Sequence, residues 1–430
     1  MSSSSPLSPL TSRWLPAGNT LDSVCRGILM RKLAGLKHGK ITVLDSLTDL
    51  GHSRVLGGSG SRPELEARIQ VRHPRFYSRA LLGGSIGVGE SYVDGDWDCE
   101  DLTKLIQVFV ANREQLVGLD RGWGALLSPI QKFAHRMRNN SLEGSRSNIH
   151  AHYDMGNDFF NLFLDETWMY SCGIYERADS TLLEASHEKN DRICRKLGLG
   201  AADHLVEIGT GWGGFAIHAA RHYGCRVTTT TISKEQYDFA VQRVRSEGLE
   251  DRITLLFEDY RNLQGKFDKL VSIEMIEAVG LDHHDTYFRK CADLLKPSGS
   301  MLIQSITIKE QYYEDARRSV DFIQRHIFPG SGIPAVSEIV RTATGKTDLQ
   351  LLHFEDIGPH YARTLHDWSV RLASRREEVA RLDYPPHLNR LWQFYFSYCE
   401  GGFLERSISC GHLLFVKPEA RKEPILGRLP

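Results

Sequence analysis

A glycine-rich turn after an apolar strand is the feature of the sequence best suited to binding a ligand. The segment from Val206 to Gly213 reads VEIGTGWG, and a helix-forming stretch follows it. Glycines at such a turn let a ligand approach the backbone at the carboxyl end of a parallel strand. A dinucleotide site would have G-x-G-x-x-G spacing and an acidic residue about 20 positions further on. Here the acid, Glu207, precedes the glycines, and the next strand ends at Thr231 without one.

This arrangement suits S-adenosylmethionine, which has no pyrophosphate and carries a cationic sulfonium and an amino group. An acid and an aromatic residue, Asp259 and Tyr260, close the third strand, where they could hold an adenine. The residues therefore predict an S-adenosylmethionine site at the ends of three neighbouring strands. A dinucleotide site and a purely structural turn are the alternatives at this point.

The elements that would position this site begin near His204, where apolar runs of strand length alternate with helical stretches. This alternation predicts an α/β fold with a mostly parallel sheet. Ser233–Gln236 reads SKEQ, the form of a capping box, and predicts the start of a helix. A turn is predicted at Lys296–Gly299. The predicted strands are Leu205–Ile208, Val227–Thr231, Ile253–Phe257, Lys269–Ile273, Met301–Ile306 and His412–Val416.

The first part of the chain carries shorter and more mixed signals. Ile41–Leu44 and Leu65–Val71 read as strands, the second because apolar and polar residues alternate in it. The glycines from Gly83 to Gly89 predict a turn. We expect a small α+β domain here, separate from the α/β domain. The predicted segments are a disordered lead-in (1–20), an N-terminal lipid-associating domain (21–120), a basic linker (121–148), a methyltransferase domain (149–418) and a tail (419–430).

The charge of the 430 residues is distributed unevenly. The formal net charge is -1, from 53 Lys and Arg against 54 Asp and Glu. Residues 1–150 carry 19 basic and 14 acidic side chains, whereas residues 151–430 carry 34 and 40. A balanced total argues against a nucleic-acid-binding protein, which needs a surplus of cations. The basic first part is the better candidate for contact with an anionic membrane surface.

Cysteine spacing and hydropathy exclude several other classes. The eight cysteines form no CxxC pair, so we expect free thiols and no metal site. No apolar stretch is long enough to span a bilayer, and the N-terminus does not read as a signal peptide. We therefore expect a cytoplasmic protein.

Several longer motifs follow one another in a fixed order. They are HYDMGNDFF (152–160), MYSC (169–172), EIGTGWG (207–213), EMIEAVG (274–280), DFIQRHIFPG (321–330) and PHYARTL (359–365). In this order they resemble the cyclopropane-fatty-acyl-phospholipid synthase family of S-adenosylmethionine-dependent methyltransferases, which includes the mycolic acid cyclopropane synthases. GVGESYVDGDW (87–97) resembles the N-terminal domain of the longer members.

The resemblance implies a Rossmann-like class I methyltransferase with a mostly parallel seven-stranded sheet, plus a small N-terminal α+β domain. Transferred residue by residue, it implies cofactor contacts that overlap with those read from the strand ends. Glu207 and Thr231 complete the predicted cofactor set. The contacts implied by the resemblance are Tyr170, Ser171, Gly209, Gly211, Gly213, Gln236, Asp259 and Tyr260.

The resemblance also implies a bound bicarbonate ion that acts as the general base. The family holds this ion near Cys172, Glu277, the backbone of Ile306 and Tyr361. It also uses a histidine two residues before that isoleucine, where this chain has Gln304. An amide can donate a hydrogen bond to the anion but cannot carry its proton.

The implied reaction is methyl transfer to the cis double bond of an unsaturated phospholipid acyl chain. The methyl group would then close a cyclopropane ring, with a methylene or methyl branch as the alternative product. Aromatic rings could stabilise the intervening cation, although core packing is the alternative role for each of them. The candidates are Tyr153, Phe159, Phe160, Tyr170 and Tyr361. Cys172 is expected to line the site rather than act as a nucleophile.

Two other classes of function compete with this interpretation. One is N-methylation of a small amine with the same cofactor, and the other is a catalytically silent lipid-binding protein. The amine enzymes lack the N-terminal domain and the Tyr-Ser-Cys and His-Tyr pairing of this sequence. The intact residues Gly209–Gly213, Glu277 and Tyr361 argue against the silent protein. We expect the enzyme to associate peripherally with the inner face of the membrane, with a homodimer as the candidate assembly.

Overall fold

The computed structural model describes residues 20–45, 53–58, 60–120 and 155–426. All of the predicted lead-in except Thr20 lies outside the described residues, as do the basic linker, Tyr153 and the end of the tail. The described residues divide into two compact units. The first contains residues 20–101 and 112–120, and the second contains residues 102–111 and 155–426. The helix at 102–111, which the sequence placed in the N-terminal domain, thus groups with the second unit.

The first unit is a small α+β structure, as predicted. Its strands form a sheet in the order β2-β1-β3-β4, in which β1 pairs antiparallel with β2 and parallel with β3. The predicted alternation in β3 is confirmed, because Leu65, Ala67, Ile69 and Val71 are all buried. The elements are α1 (Thr20–Ala34), β1 (His38–Asp45), β2 (Ser53–Gly57), β3 (Ser61–Val71), α2 (Arg75–Val93), β4 (Trp97–Cys99) and α4 (Arg113–Asp120), with α3 (Leu102–Ala111) in the second unit.

The turn predicted at Gly83–Gly89 is present as a sharp kink inside a helical segment. α2 runs through these glycines but is interrupted at Gly84, where φ is 54°. The chain folds back there so that Gly87 lies against Arg79, eight residues earlier. A Cβ on Gly87 would lie 2.0 Å from the carbonyl oxygen of Arg79. The kinked helix can therefore form only with glycine at this position.

A seven-stranded sheet organises the described part of the second unit. Its order is β10-β11-β9-β8-β5-β6-β7, and all pairs are parallel except those of β11, which is antiparallel to both of its neighbours. The chain moves outward from β5 in one direction through β6 and in the other through β8. In open α/β sheets, ligands bind at such a reversal of strand order. The strands are β5 (His204–Ile208), β6 (Arg226–Thr231), β7 (Ile253–Phe257), β8 (Phe267–Ile273), β9 (Leu295–Ile308), β10 (Gln350–Asp356) and β11 (Ile408–Val416).

Each strand predicted from an apolar run in this sheet is present, which confirms the α/β prediction. β9 is longer than expected and begins at Leu295, so the turn predicted at Lys296–Gly299 lies inside the strand. The backbone of β9 is nevertheless irregular at the predicted turn. Leu295 pairs with Phe267 of β8, and the next pair in the ladder joins Ser300 to Lys269. The residues in between are excluded from the ladder.

Helices cover the sheet of the second unit and build a hydrophobic core rich in aromatic residues. Phe159, Phe160, Phe163, Trp368 and Trp392 are fully buried in this core. Among the described residues, no helix is long and apolar enough to cross a membrane. The helices are α5 (Asn157–Phe160), α6 (Leu182–Leu197), α7 (Gly214–Tyr223), α8 (Lys234–Ser246), α9 (Ile276–Val279), α10 (His284–Leu294), α11 (Glu310–Ala316), α12 (Phe322–His326), α13 (Val336–Lys346), α14 (Gly358–Ser374), α15 (Arg376–Arg381) and α16 (Leu388–Leu404).

The predicted capping box at the start of α8 is half formed. The Ser233 hydroxyl caps the helix by accepting a hydrogen bond from the Gln236 amide. The Gln236 side chain does not bond the backbone amide of Ser233, as a full capping box requires. Its oxygen instead accepts a hydrogen bond from the Thr231 hydroxyl at 3.0 Å. The Gln236 side chain is thereby tied to the end of β6, beside the predicted cofactor site.

A complete capping box starts α6, where Thr181 and Glu184 each bond the other's backbone amide. We expect Thr181→Ala to lower the free energy of unfolding by about 1 kcal/mol, because one helix amide loses its acceptor. Thr181→Ser keeps the oxygen and should cost much less. Urea denaturation of both variants measures the difference, and equal losses would count against the cap.

Candidate active site

The glycine turn lies where the sequence places it, at the end of β5. Gly209, Gly211 and Gly213 have φ values of 101°, 53° and 85°, in the left-handed region that favours glycine. The backbone amides of Gly209 and Thr210 donate to the carbonyl of Thr230 on β6, which folds the turn back over the sheet. α7 begins immediately after Gly213. The turn is therefore shaped by the backbone before any ligand binds.

Glu207 is buried on β5 and accepts a hydrogen bond from the Thr229 hydroxyl at 2.6 Å. Burial raises the pKa of this carboxyl to about 8. A nearby cation would favour the ionised form. The sulfonium and amino groups of S-adenosylmethionine supply such charge, so this buried acid fits the predicted cofactor.

The other predicted cofactor residues already have protein partners. Asp259 caps the turn that follows β7 and forms a bidentate ion pair with Arg261, with nitrogen–oxygen distances of 2.8 Å. An adenine that contacts Asp259 must therefore share its oxygens with Arg261. The partly buried ring of Tyr260 packs edge-on against Tyr287.

Tyr170 and Ser171 lie in the loop before α6. The Tyr170 hydroxyl is 3.1 Å from the Tyr395 hydroxyl. The Ser171 hydroxyl accepts a hydrogen bond from the Lys189 ammonium at 3.1 Å. One predicted cofactor contact, Ser171, is thus hydrogen-bonded to a buried lysine on α6.

The centre of the polar network is Glu274, a residue to which the sequence assigned no role. It follows β8 directly, with a φ of 50°. Its carboxylate accepts hydrogen bonds from the Cys172 amide at 2.9 Å, the Gln304 side-chain amide at 2.7 Å and the Tyr361 hydroxyl at 2.6 Å. Three of the predicted catalytic residues therefore converge on one carboxylate. Its position immediately after a strand at the switch point was the available signal.

Glu277, predicted as catalytic, lies in the first turn of α9 beside this centre. One of its oxygens accepts hydrogen bonds from the Ile306 amide at 2.6 Å and from the Ser305 hydroxyl at 3.0 Å. The other oxygen is buried and has no hydrogen-bond partner among the described residues. Burial, and then the charge of Glu274, raise the pKa of Glu277 to about 8. At neutral pH Glu277 is therefore the protonated member of the pair.

Within the described residues, the Glu274 carboxylate accepts every hydrogen bond that it makes, which favours its ionised form. Burial raises its pKa, and hydrogen bonds from Tyr361, Cys172 and Gln304 oppose the increase. The charge of Lys189 acts in the same direction as these hydrogen bonds. A carboxylate whose partners favour ionisation thus lies next to a carboxylic acid that burial keeps neutral.

Lys189 was also missed by the sequence analysis. It is fully buried, and burial lowers its pKa to about 8 against the opposing charges of Glu274 and other nearby acids. A lysine in line with Leu182, Ala185 and Ile193 on the buried face of an amphipathic helix was the signal that could have found it.

The groups expected to hold bicarbonate are already used within the protein. Cys172, Gln304 and Tyr361 donate to Glu274, and the Ile306 amide donates to Glu277. The Cys172 thiol is buried, which raises its pKa, and it donates to the carbonyl of Gly173. The Glu274 carboxylate thus already uses the donors that a separate bicarbonate ion would need, and the bicarbonate site remains a prediction.

Four of the five predicted cation-stabilising rings belong to one connected aromatic cluster, and the fifth, Tyr153, lies outside the described residues. Tyr361 stacks on Phe403 at 4.6 Å and meets Trp368 edge-on. Tyr170 packs against Phe160 and Trp368. Phe159 is fully buried against Trp392. The cation-stabilising role of these rings remains a prediction.

All eight cysteines lie in the described residues, and all are free. The described residues contain no group of three His, Cys, Asp or Glu side chains that could hold a metal ion.

Comparison with known proteins identifies the family. Residues 140–413 match the model of the mycolic acid cyclopropane synthetase family. The chain belongs to this family. It is 35% identical to the tuberculostearic acid methyltransferase UfaA1 of Mycobacterium tuberculosis, over 80% of this chain and 79% of that protein. It is 34% identical to the cyclopropane-fatty-acyl-phospholipid synthase of Escherichia coli K12, over 84% and 89%.

The fold of this family member agrees with solved structures. The crystal structure of the mycolic acid cyclopropane synthase CmaA1, complexed with SAH and CTAB, has a TM-score of 0.59 and 29% identity. The match covers 63% of this chain and 98% of that one. The chain is therefore an S-adenosylmethionine-dependent methyltransferase of the cyclopropane synthase type with a class I fold.

Tyr361→Phe tests the contribution of one donor to the centre. We expect kcat to fall roughly 10- to 100-fold, because the ionised Glu274 loses a short hydrogen bond. Steady-state kinetics with S-adenosylmethionine measures the change. Tyr175→Phe is the matched control, since that hydroxyl bonds Asp367 at 2.8 Å instead. Equal losses of kcat in the two variants would show that the Tyr361 hydroxyl has no specific role at Glu274.

Proposed function

We propose that this enzyme transfers a methyl group to the cis double bond of an unsaturated acyl chain in a phospholipid and then closes a cyclopropane ring. Family membership and the E. coli relative's name support this substrate and product. The observation that carries the mechanism is the buried Glu274 carboxylate, which accepts hydrogen bonds from the Cys172 amide, the Gln304 side chain and the Tyr361 hydroxyl. The Cys410 thiol donates a fourth, at 3.7 Å. This carboxylate is a fixed base beside the aromatic cluster that contains Tyr361.

When bound, S-adenosylmethionine supplies an electrophilic methyl group. The glycine turn, Glu207, Gln236 and Ser171 would hold it at the ends of β5 and β6. The alkene is a weak nucleophile that no side chain can activate by deprotonation. The protein therefore acts by aligning the double bond and by excluding water from the site. On transfer, the alkene π electrons would form the new carbon–carbon bond as the methyl group leaves its carrier, and a carbocation would remain on the acyl chain.

Removal of one proton determines the product. We assign this step to Glu274, whose hydrogen-bond donors favour its ionised form, whereas burial keeps the neighbouring Glu277 neutral. Loss of a proton from the transferred methyl group lets the carbon–hydrogen electrons close the ring. Bicarbonate, the base implied by the resemblance, would have to displace Glu274 from its donors. The unpartnered oxygen of Glu277 is the one feature that favours such an ion.

A branched product is the second candidate. Loss of a proton from a neighbouring carbon would leave a methylene branch and retain a double bond. The 35% identity to a protein named tuberculostearic acid methyltransferase favours this outcome. Both products add one CH2 unit to the acyl chain, and only the ring removes the double bond.

Purified enzyme, S-adenosylmethionine and vesicles of cis-monounsaturated phospholipid test the proposal. We expect lipid mass spectrometry to show acyl chains heavier by one CH2 unit and without the double bond. A retained double bond would identify the branching reaction. Methylation of a small amine with no change in the lipid would overturn the proposal, and so would lipid binding without any methyl transfer.

Glu274→Gln tests the identity of the base. We expect kcat to fall about 100-fold or more, the usual range for loss of a general base. Glu277→Gln should cost less than about tenfold, because that carboxyl is already neutral. The wild-type enzyme should remain active in buffer stripped of bicarbonate. Strict bicarbonate dependence, with Glu274→Gln unaffected, would identify bicarbonate as the base instead.

We also propose that the first unit contacts the inner face of the membrane, so that the enzyme associates peripherally. Leu21 and Val24 on α1 are 51% and 55% exposed, and Arg31 is exposed two turns further along the same face. Residues 1–150 carry a surplus of five basic side chains. Apolar contact and attraction to anionic lipid would act together on this surface. The homodimer remains a prediction.

Binding to anionic vesicles should weaken as salt rises, because the Debye length falls from about 10 Å at 0.1 M to about 3 Å at 1 M. A Leu21→Ser, Val24→Ser double variant should bind less at every salt concentration. Val370→Ser removes an equally exposed apolar side chain from the second unit and serves as the control. Sedimentation with vesicles measures binding, and salt-independent binding would contradict the electrostatic part.

A further inference from the structure

A row of buried polar side chains runs across three adjacent strands to the Glu274 centre. Gln304 on β9 lies directly opposite His412 on β11, and His412 lies opposite Glu355 on β10. Residues paired in this way point to the same face of a sheet. Lys196 of α6 completes the row by contacting both His412 and Glu355. Gln304 and His412 are fully buried, so their hydrogen bonds cannot be replaced by solvent.

These contacts form a continuous chain of hydrogen bonds from Lys196 to Glu274, which is the chain referred to below. The Lys196 ammonium bonds Glu355 and lies 3.0 Å from His412 Nδ1. His412 Nε2 lies 2.9 Å from Gln304 Oε1, and Gln304 Nε2 donates to Glu274 Oε1 at 2.7 Å. Arg192 also bonds Glu355 at 2.8 Å. The chain thus links a partly exposed ion pair to the carboxylate at the centre of the active site.

Donor and acceptor chemistry gives this chain one direction. An ammonium can only donate, so His412 Nδ1 must accept. Burial, and then the charge of Lys196, lower the pKa of His412, which is therefore neutral and carries its single proton on Nε2. That proton is donated to Gln304 Oε1, which leaves the Gln304 NH2 group facing Glu274. Every bond in the chain then donates toward Glu274.

The ion pair with Glu355 keeps Lys196 protonated, and therefore a hydrogen-bond donor. Burial lowers the pKa of Lys196 to about 8, and hydrogen bonding to Glu355 opposes the decrease. Burial alone would raise the pKa of Glu355, but hydrogen bonds from Arg192 and Lys196 lower it to about 2. The ion pair is thus charged at neutral pH and fixes the start of the chain.

We propose that His412 and Lys196 are positioning residues that orient the Gln304 amide toward Glu274. Without them, the remaining contacts of the amide would be its bond to Glu274 and a longer one, at 3.3 Å, to the Cys172 carbonyl. The amide could then turn over and place its own carbonyl oxygen against the carboxylate. Two acceptors would then face each other, and Glu274 would lose one of its donors. The functional part rests on the proposed role of Glu274, whereas the direction of the chain does not.

A double-mutant cycle on kcat tests the functional part. We expect His412→Leu to lower kcat about tenfold with little change in the KM for S-adenosylmethionine. His412→Gln can still accept from Lys196 and donate to Gln304, so it should restore most of the activity. In a Gln304→Leu background, His412→Leu should cost less than about twofold more, because the group it orients is gone. Additive losses would show that His412 acts independently and would overturn the proposal.

Nitrogen-15 NMR of histidine-labelled enzyme tests the direction of the chain without any turnover. The His412 signals, identified as those missing in His412→Leu, should show a protonated Nε2 and an unprotonated Nδ1. Lys196→Met should change this tautomer or the shifts of both nitrogens. A protonated Nδ1 in the wild type would overturn the chain itself. Correct tautomer signals with a fully active Glu274→Gln variant would instead contradict the proposed base.

Discussion

A carboxylate stays ionised inside a protein only where hydrogen-bond donors replace the water that it has lost. Glu274 imposes this constraint on the second unit. Its donors come from the loop before α6, from β9, from α14 and from β11, so four distant parts of the chain must meet at the end of β8. The cross-strand row through His412 continues the same requirement, because the amide of Gln304 must in turn be held in one orientation.

The reaction explains why such a demanding centre lies among aromatic rings. A carbocation on an acyl chain reacts with any water or exposed nucleophile, so the site must be dry. Dry surroundings make an unpaired charge costly. The structure meets both conditions with one carboxylate that is fully bonded and a second, Glu277, that burial keeps neutral. The Cys172 thiol is also buried and is held as a thiol rather than a nucleophilic thiolate.

The fold could be predicted from the sequence because its signals are local. Apolar runs and the glycine turn from Gly209 to Gly213 depend on neighbouring residues alone. The position of Glu274 directly after a strand is also a local signal, but its role could not be assigned, because its donors lie 30, 87, 102 and 136 positions away in the chain. The glycines from Gly83 to Gly89 indicated a break in the chain for local reasons. The packing of Gly87 against Arg79 is visible only after the helix has folded back.

The donors around Glu274 lead to an apparent contradiction. Each hydrogen bond that keeps the carboxylate ionised also lowers its affinity for a proton, yet the carboxylate is to act as a base. The contradiction disappears when the acid is considered, since hydrogens next to a carbocation are extremely acidic and even a weak base can remove them. Basicity is then less important than position. A carboxylate fixed by Cys172, Gln304 and Tyr361 takes the proton within its reach, and that choice separates a ring from a branch.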